Sequence, residues 1–204
     1  MKASVRWGLA ALFLFFPLAI SSCTHLGMNR YQTEGDLTIQ GLKEPVTVVR
    51  DEKGMAYIHA KNTEDAMVAY GFTTAQDRLF QMELTRLFAS GRISEMIGEK
   101  GEPIDTRMRT IGFHRHAPGH AGILEPGTKN LMQTYLDGVN AFIENYAGDY
   151  PLEFKLAGIK PKPWDLADSM TVLYLMSWDS AANLETEIIA QMLVEKVGLD
   201  KARE

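Results

Sequence analysis

Cysteine is nearly absent from this sequence, because Cys23 is the single cysteine among 204 residues. One cysteine excludes a disulfide within the chain. Positive charge is also sparse: 21 Lys and Arg residues stand against 26 Asp and Glu residues, and no dense basic run occurs. The sequence therefore lacks the electrostatic footprint of a nucleic-acid-binding protein, and we expect no nucleic-acid partner.

The common catalytic motifs are missing as well. The sequence contains no G-x-S-x-G nucleophile elbow, no H-E-x-x-H zinc motif, no P-loop and no G-x-G-x-x-G dinucleotide loop. Three histidines, His114, His116 and His120, lie in the segment 101–127, whose glycines and prolines predict irregular structure. Metal ligands need convergent geometry, so we interpret these histidines as surface-loop residues; a metal site is the alternative.

The N-terminus is typical of an exported protein. Lys2 and Arg6 precede an apolar run at residues 9–20, which is short for a bilayer span and has the length of a signal-peptide core. The run ends in Ile20-Ser21-Ser22-Cys23, which resembles a bacterial lipobox. We therefore predict that Cys23 is lipidated; an ordinary signal peptide with a chance cysteine is the alternative.

Cleavage before Cys23 would divide the chain into three parts. Residues 1–22 would be the lipoprotein signal peptide, residues 23–34 a polar tether without periodicity, and residues 35–204 the folded part. Because two or more acyl chains make a durable anchor, the mature protein is expected to be held at a membrane. We expect it in the bacterial cell envelope, facing the periplasm.

Two segments favour β-strands. Residues 45–50 and 55–60 are rich in β-branched or aromatic residues, and Asp51-Glu52-Lys53-Gly54 between them has turn chemistry. Residues 37–39 are a candidate for a third, short strand, and no later segment resembles one. Because an isolated hairpin is only marginally stable, we expect its partner strands outside this chain.

Most of the remaining chain favours helix. A first helix is expected from a cap at Asn62 or Thr63 to about residue 88, with a break near Gly71 and a stop at Gly91. Further helices are predicted at residues 93–97, 130–146, 166–178 and 184–197, with irregular structure at 101–127 and 147–164. The helices at 166–178 and 184–197 are apolar nearly all round, which predicts that they are buried.

Polar residues near these helices are candidates for a role in chemistry. Gln76, Asp77 and Arg78 stand inside an apolar stretch, so they either face solvent or form a specific buried network, because burying an unpaired ion is costly. Carboxylates that emerge from a buried helix can bind cations, and three follow the helix at 166–178: Asp179, Glu185 and Glu187.

Several longer segments are more specific. They include Ala75-Gln76-Asp77-Arg78-Leu79-Phe80-Gln81-Met82-Glu83, Gly91-Arg92-Ile93-Ser94-Glu95-Met96-Ile97-Gly98, Tyr135-Leu136-Asp137-Gly138-Val139-Asn140-Ala141-Phe142-Ile143, and Lys162-Pro163-Trp164. In this order they resemble the penicillin acylase (penicillin amidase) family of N-terminal-nucleophile hydrolases. The resemblance covers residues 45–198.

The resemblance implies an α+β fold of the αββα N-terminal-nucleophile type. This chain would be the mostly helical α-subunit part, with a β-hairpin that joins a sheet completed by the β-subunit. Precursors in the family cleave themselves, and the β-subunit then begins with a Ser whose hydroxyl is the nucleophile and whose own α-amine is the base. That Ser would lie beyond this chain, so no catalytic residue is assigned here and the fragment alone is expected to be inactive.

Two site assignments follow from the same resemblance. Family members hold a structural calcium with one α-subunit glutamate, and counting from Trp164, with Asp168 in register, places that glutamate at Glu187. The same register places Ser177 and Ala181 at acyl-pocket positions where penicillin G-type members have larger residues. Small residues do not form an aromatic pocket, and Met176 or Trp178 would take their place if the helix is rotated, so the acyl group stays open.

The sequence thus predicts part of an amide hydrolase for linear carbon–nitrogen bonds of N-acyl compounds, such as penicillins, cephalosporins or acyl-homoserine lactones. The expected partners are the downstream β-subunit, a small N-acyl substrate, a structural calcium ion, and the membrane through the lipid anchor. The alternative is a catalytically inactive envelope lipoprotein fragment or a binding protein.

Overall fold

The computed structural model describes residue 32, residues 34–181 and residues 183–203. Cys23, the signal peptide at 1–22 and most of the tether at 23–34 lie outside these described residues. Within the described ranges, no helix combines the length and the apolarity that crossing a membrane requires.

The predicted hairpin is present. Strand β1 (Thr47–Arg50) pairs antiparallel with β2 (Ala56–His59). The Asp51 carboxylate accepts hydrogen bonds from the backbone N–H groups of Lys53 and Met55, both at 2.9 Å, which closes the turn. The third strand expected at residues 37–39 is wrong, because the backbone there pairs with no strand in the described chain.

The rest of the described chain is largely helical. The helices are α1 (Thr63–Ala89), α2 (Ser94–Ile97), α3 (Glu102–Ile111), α4 (Phe113–Ile123), α5 (Pro126–Asn145), α6 (Leu152–Ala157), α7 (Leu166–Ser180), α8 (Leu184–Val197) and α9 (Leu199–Ala202). A 3₁₀ turn, Gly98–Gly101, joins α2 to α3. A mostly helical chain with one two-stranded sheet agrees with the predicted α+β class.

The described residues form two compact units. Unit 1 comprises the residues up to Glu83 and Asn130–Trp164, and it contains the hairpin and α6. Unit 2 comprises Leu84–Lys129 and the residues from Asp165 onward, and it contains α2 to α4 and α7 to α9. Helices α1 and α5 contribute residues to both units.

Unit 1 has an aromatic core. Phe72 on α1 meets Phe142 on α5 edge to face, with ring centroids 5.4 Å apart. Phe80 on α1 makes the same kind of contact with Phe154 on α6 at 5.2 Å. Phe72, Phe142 and Phe154 are buried, so these contacts hold the three helices together by burial of apolar surface and by favourable ring geometry.

Helix α1 begins where it was predicted but does not break at Gly71. The Asn62 side-chain oxygen accepts the backbone N–H of Asp65 at 2.8 Å, which caps the helix. Gly71 lies within the continuous helix, directly against the carbonyl oxygen of Tyr135 on α5. A Cβ at Gly71 would overlap that oxygen. The glycine therefore permits a close approach of two helices rather than a kink.

The irregular structure predicted at residues 101–127 is wrong. Helices α3 and α4 occupy most of this segment, separated by Gly112, whose φ of 87° is left-handed. Pro103 lies in the first turn of α3, where a missing N–H costs little. Gly101, Gly112 and Pro126 lie at helix boundaries, whereas Pro118, Gly119 and Gly122 lie within α4, which is helical nonetheless. Likewise, α6 lies inside the predicted loop at 147–164.

Helices α7 and α8 have the predicted positions but not the predicted burial. In α7 only Met170 and Thr171 are buried. In α8 every described side chain is exposed except the half-buried Val194. An apolar helix is buried only where another segment lies against it, and no described segment covers the outer face of α7 or most of α8.

Candidate functional site

A buried ion pair fixes the start of α7 in unit 2. The Arg86 guanidinium on α1 donates to the Asp168 carboxylate at 2.9 Å, and the two side chains are only 3% and 15% exposed. Asp168 also forms a capping box with Asp165, whose carboxylate accepts the Asp168 backbone N–H at 2.8 Å. The pair and the cap together set the direction in which α7 leaves the end of α1.

An aromatic cluster supports the second half of α7. It consists of Phe113 and His120 on α4 and Tyr174 and Trp178 on α7. Phe113 stacks on Tyr174 and meets Trp178 edge to face, and His120 Nδ1 lies 2.9 Å from the Tyr174 hydroxyl. The Arg107 guanidinium of α3 lies over the Trp178 ring at 5.4 Å, a cation–π contact.

The two predicted acyl-pocket residues lie together on α7, three and seven residues after Tyr174. Ser177 and Ala181 are one helical turn apart, and the Ala181 N–H donates to the Ser177 carbonyl at 3.1 Å. Both are exposed, as are Leu173, one turn before Ser177, and the adjacent Met176. The described residues therefore place these positions on an open apolar face, without a second wall.

Glu187, the predicted calcium ligand, lies in the first turn of α8. Its carboxylate is exposed and accepts a hydrogen bond from the Asn183 side-chain amide at 3.1 Å. Calcium takes six to eight oxygen ligands, and no group of three or more His, Cys, Asp or Glu side chains within the described ranges is arranged to hold a metal. The Glu187 carboxylate is accessible, and its partner in the described residues is a neutral amide. Glu187 can therefore serve as one calcium ligand if the other ligands come from outside the described residues.

The three histidines of α4 do not converge. His114 and His116 are exposed, as expected of surface residues, but they lie on a helix rather than in a loop. His120 is directed to Tyr174 instead of to the other two. Positions two residues apart on a helix face different directions, so helical spacing separates the donors of the H-x-H pattern.

The polar residues 76–78 of α1 show both of the expected arrangements: one lies in a buried network and two face solvent. Gln76 is buried, accepts a hydrogen bond from Arg50 at 2.7 Å and donates to the Gln32 carbonyl at 3.1 Å. Asp77 is exposed and pairs with Arg50 at 2.9 Å, and the exposed Arg78 contacts Gln81. The network thus buries the amide and keeps the charges accessible, and it fastens the hairpin to α1.

The residue pattern did not reveal the hydrogen-bonding roles of two buried carboxylates, Asp65 and Asp105. Asp65 is 1% exposed and accepts the backbone N–H groups of Lys43 and Glu44. The hydrogen bond from Lys43 is the main reason that the pKa of Asp65 lies below its ordinary value. A capping signal was present in the sequence, an Asn followed three residues later by an acid, but it does not reveal the contact with residues 43–44.

Asp105 is a buried carboxylate of unit 2 that likewise accepts backbone N–H groups from another segment. Burial by itself raises its pKa, but hydrogen bonds from the Ser94 hydroxyl and from the backbone N–H groups of Ser94 and Ile93 outweigh burial and leave the pKa lowered. This carboxylate organises the start of α2. No local signal predicts it, because its partners lie 11 and 12 residues away.

The comparison with protein families now bears on this geometry. A family model described as penicillin amidase matches residues 45–204. The chain belongs to the penicillin amidase family. The match includes α7, α8 and all the residues of unit 2 described above, whereas Cys23 lies outside it.

Curated relatives of this penicillin amidase family member are acylases. The chain is 34% identical over 206 residues to acyl-homoserine lactone acylase QuiP of Pseudomonas aeruginosa, covering 98% of this chain and 24% of that protein. It is 40% identical over 139 residues to penicillin acylase 2 proenzyme of Pseudomonas sp., covering 68% of this chain and 18% of that protein. The chain thus spans about a quarter or less of the length of these relatives.

A solved structure confirms the fold class. Thermostable penicillin G acylase from Alcaligenes faecalis matches with a TM-score of 0.61 over 78% of this chain and 87% of the solved chain, at 24% sequence identity. The mostly helical arrangement of the described residues, with a hairpin, is therefore an α+β fold shared with that penicillin G acylase chain.

Proposed function

We propose that this chain is the α-subunit part of an amide hydrolase that cleaves linear carbon–nitrogen bonds of N-acyl compounds. The precursor would cleave itself and expose a Ser downstream of residue 204 as the nucleophile, with its own α-amine as the base. The observation that carries the proposal is the uncovered apolar surface of α7 and α8 in a member of a family of acylases. Relatives named as acyl-homoserine lactone acylase and as a penicillin acylase proenzyme support it.

The apolar surface would be covered by the downstream part. Met176, Ile189 and Met192 are 62%, 65% and 62% exposed, respectively. Several exposed apolar residues on neighbouring helices indicate an interaction surface, whereas a single one would not. The first relatives are about four times as long as this chain, so they contain enough further sequence to form a cover. We therefore assign the outer face of α7 and the whole of α8 to contact with the β-subunit. The hairpin would join a sheet completed by the same subunit.

The acyl group would lie beside Ser177 and Ala181. These small residues leave space on the helix surface, and the exposed neighbours Leu173 and Met176 are flexible aliphatic contacts rather than aromatic walls. This composition favours a linear acyl chain over an aromatic one. The favoured substrates are therefore fatty-acyl amides such as acyl-homoserine lactones, with penicillins and cephalosporins as the second candidates.

The deciding experiment uses the complete gene product. We expect two fragments in mass spectrometry, the second beginning with Ser, and release of the free amine from an acyl-homoserine lactone by the processed protein. Replacement of that Ser by Ala should abolish both processing and hydrolysis. A gene product that remains uncleaved and hydrolyses neither acyl-homoserine lactones nor penicillin G would favour the alternative, an inactive envelope lipoprotein or a binding protein.

A structural calcium ion would join the two parts, with Glu187 as the donor from this chain. When bound, the ion would supply a fixed cross-link and no chemistry at the reacting bond. We expect the Glu187→Ala precursor to retain less calcium in equilibrium dialysis and to process more slowly. Glu195→Ala, an exposed acid two turns further along the same helix, is the matched control. Equal calcium content in both variants would remove the assignment.

The mature protein would be anchored to the envelope through Cys23, after removal of residues 1–22, with residues 23–34 as the tether. The lipobox-like Ile20-Ser21-Ser22-Cys23 supports this proposal. A Cys23→Ser variant should be released from the membrane fraction. Retention of that variant at the membrane would count against lipidation.

A further inference from the structure

Unit 2 contains an open cavity that none of the proposed substrate or calcium residues lines. Its volume is about 470 Å³, and its walls come from the end of α1, the loop that follows, α3 and the start of α4. Small-molecule sites have volumes of about 300–1,000 Å³. The cavity is therefore large enough for a small ligand, not only for solvent.

The lining of this cavity is mostly apolar in area, and its charged side chains are arginines. It includes Arg92, Arg109, His114 and Arg115 and no carboxylate. Residues 106–124, which supply most of the wall, contain three arginines and three histidines and no Asp or Glu. A concave surface of one sign concentrates the potential and attracts ligands of the opposite charge.

The acids near the cavity do not neutralise all three arginines. Arg92 is paired with Glu95 through two hydrogen bonds of 2.6 and 2.9 Å. Asp105 directs its carboxylate to the backbone N–H groups of Ile93 and Ser94. Among the ion pairs of the described residues, none involves Arg109 or Arg115. Arg109 attracts the Asp105 carboxylate at longer range, which is one reason that the pKa of Asp105 is lowered. Arg115 and, in part, Arg109 therefore carry the remaining positive charge of the cavity.

Both guanidinium groups are held in place by backbone carbonyls. Arg109 Nε donates to the Gly91 carbonyl at 2.6 Å, and an Arg115 terminal nitrogen donates to the Arg109 carbonyl at 2.9 Å. Each guanidinium has five N–H donors, so each keeps several for a ligand. Because the side chains are already ordered, a ligand would bind with a smaller loss of side-chain entropy.

The helix that borders the cavity adds to this attraction. Gly112 precedes α4 in a left-handed conformation, and no side chain caps the N-terminus of α4. The first turn of α4 contains no acid, and its residues His114 and Arg115 line the cavity. The positive end of the helix dipole thus faces the same space as the two arginines.

We propose that this cavity binds the phosphate group of an organic phosphate, through Arg109 and Arg115. Arginine forks bind phosphate through paired hydrogen bonds, and the volume beyond the phosphate accommodates the attached organic group. That group has two sources in an envelope protein: a free phosphomonoester, or the headgroup of an anionic phospholipid. The site is separate from the acyl-pocket and calcium positions proposed above, so it does not depend on the hydrolase proposal.

The test uses the complete gene product, made without its lipid anchor by removal of residues 1–23. Glycerol 3-phosphate is titrated in a calorimeter, and binding to phosphatidylglycerol vesicles is compared with binding to neutral phosphatidylcholine vesicles by co-sedimentation. We expect the double variant Arg109→Gln, Arg115→Gln to bind at least about tenfold more weakly, because several charge-assisted hydrogen bonds are lost.

The matched control is Arg107→Gln. Arg107 lies on the same helix two residues from Arg109 but contacts Trp178 instead of the cavity, so its removal should change binding less than about twofold, since only long-range attraction is lost. Arg115→Gln alone leaves the contact of Arg109 with Gly91 intact. It should therefore weaken binding without loss of fold, as judged by circular dichroism.

Each result decides the proposal. Binding of glycerol 3-phosphate without vesicle binding supports a free phosphomonoester, and selective binding to phosphatidylglycerol vesicles supports a lipid headgroup, provided that the double variant loses it. Absence of both, or an equal loss in Arg107→Gln, would overturn the proposal. Neither result bears on whether the complete protein hydrolyses amides, so the two proposals fail separately.

Discussion

At the residue scale, a few buried charges hold the described chain together. Asp65 and Asp105 each accept two backbone N–H groups from a segment outside their own helix, and Asp168 meets Arg86 in a buried pair. Removing one member of such a set leaves a buried donor or ion without its partner, which costs more than the bond itself contributes. These residues, rather than the exposed ion pairs, should respond most strongly to substitution.

The first prediction concerns Asp105 and pH. Its pKa is lowered in the folded state, so its contribution to the free energy of unfolding is complete above the unfolded pKa of about 3.9 and disappears as the pH falls through the folded pKa. Asp105→Asn should therefore be less stable than the wild type at pH 7. The difference should shrink below about pH 4, as measured by urea unfolding of the complete protein at several pH values.

The control for Asp105→Asn is Glu102→Gln, which changes an exposed acid of the same helix and should show little difference at any pH. A destabilisation by Asp105→Asn that persists unchanged at low pH would argue against this role.

The second prediction concerns the buried pair. Asp168→Ala should lower the free energy of unfolding by about 3–5 kcal/mol, because Arg86 stays buried without this carboxylate. Asp165→Ala breaks the capping box on the same helix but leaves the pair, and should cost about 1 kcal/mol. Chemical unfolding of both variants measures the difference. Equal losses would mean that the cap and not the ion pair positions α7.

At the scale of elements, the contact between α1 and α5 depends on two glycines. Gly71 lies against the Tyr135 carbonyl and Gly138 against the Val68 carbonyl, so each helix presents a gap to the backbone of the other. Backbone atoms cannot move aside as a side chain can. The same glycines that weaken helix propensity locally therefore allow the backbones of α1 and α5 to approach closely.

We expect Gly71→Ala and Gly138→Ala each to destabilise the protein by at least about 1–3 kcal/mol, the cost of overpacking. Gly119→Ala is the control, since Gly119 lies in α4 with nothing within 4 Å of the added Cβ. That substitution should be neutral or stabilising by up to about 1 kcal/mol, because Ala favours helix. Thermal unfolding distinguishes these outcomes, and tolerance of Ala at position 71 would mean that the helices are free to separate there.

At the scale of the whole molecule, α8 is the feature that the described chain does not explain by itself. Four apolar side chains of α8 are exposed to water: Ile188, Ile189, Met192 and Leu193. A short helix with this much exposed apolar surface is expected to need a partner that covers it. The proposed hydrolase supplies the partner as the downstream part of the same precursor.

This proposal makes a prediction about assembly. Residues 35–204 produced alone should self-associate, and the double variant Ile189→Lys, Met192→Lys should reduce that association in sedimentation velocity while impairing assembly with the downstream part. Lys substitutions at the exposed polar positions Gln191 and Glu195 of the same helix are the control and should leave assembly unchanged. If the double variant assembles normally, α8 does not contact the β-subunit.

The sequence by itself determined the features that depend on near neighbours. The turn at Asp51 and Gly54, the cap at Asn62 and the spans of α7 and α8 were all predicted from local residue chemistry, because caps, turns and periodicity act over a few residues. The family segments likewise predicted membership in the penicillin amidase family.

Only the tertiary structure decided features that depend on distant partners. It showed that Gly71 fits against Tyr135, that Asp105 meets the start of α2, and that Arg109 and Arg115 line one cavity. It also showed that the apolar α8 is exposed. Burial depends on what the rest of the molecule places against a residue, and no local pattern contains that information.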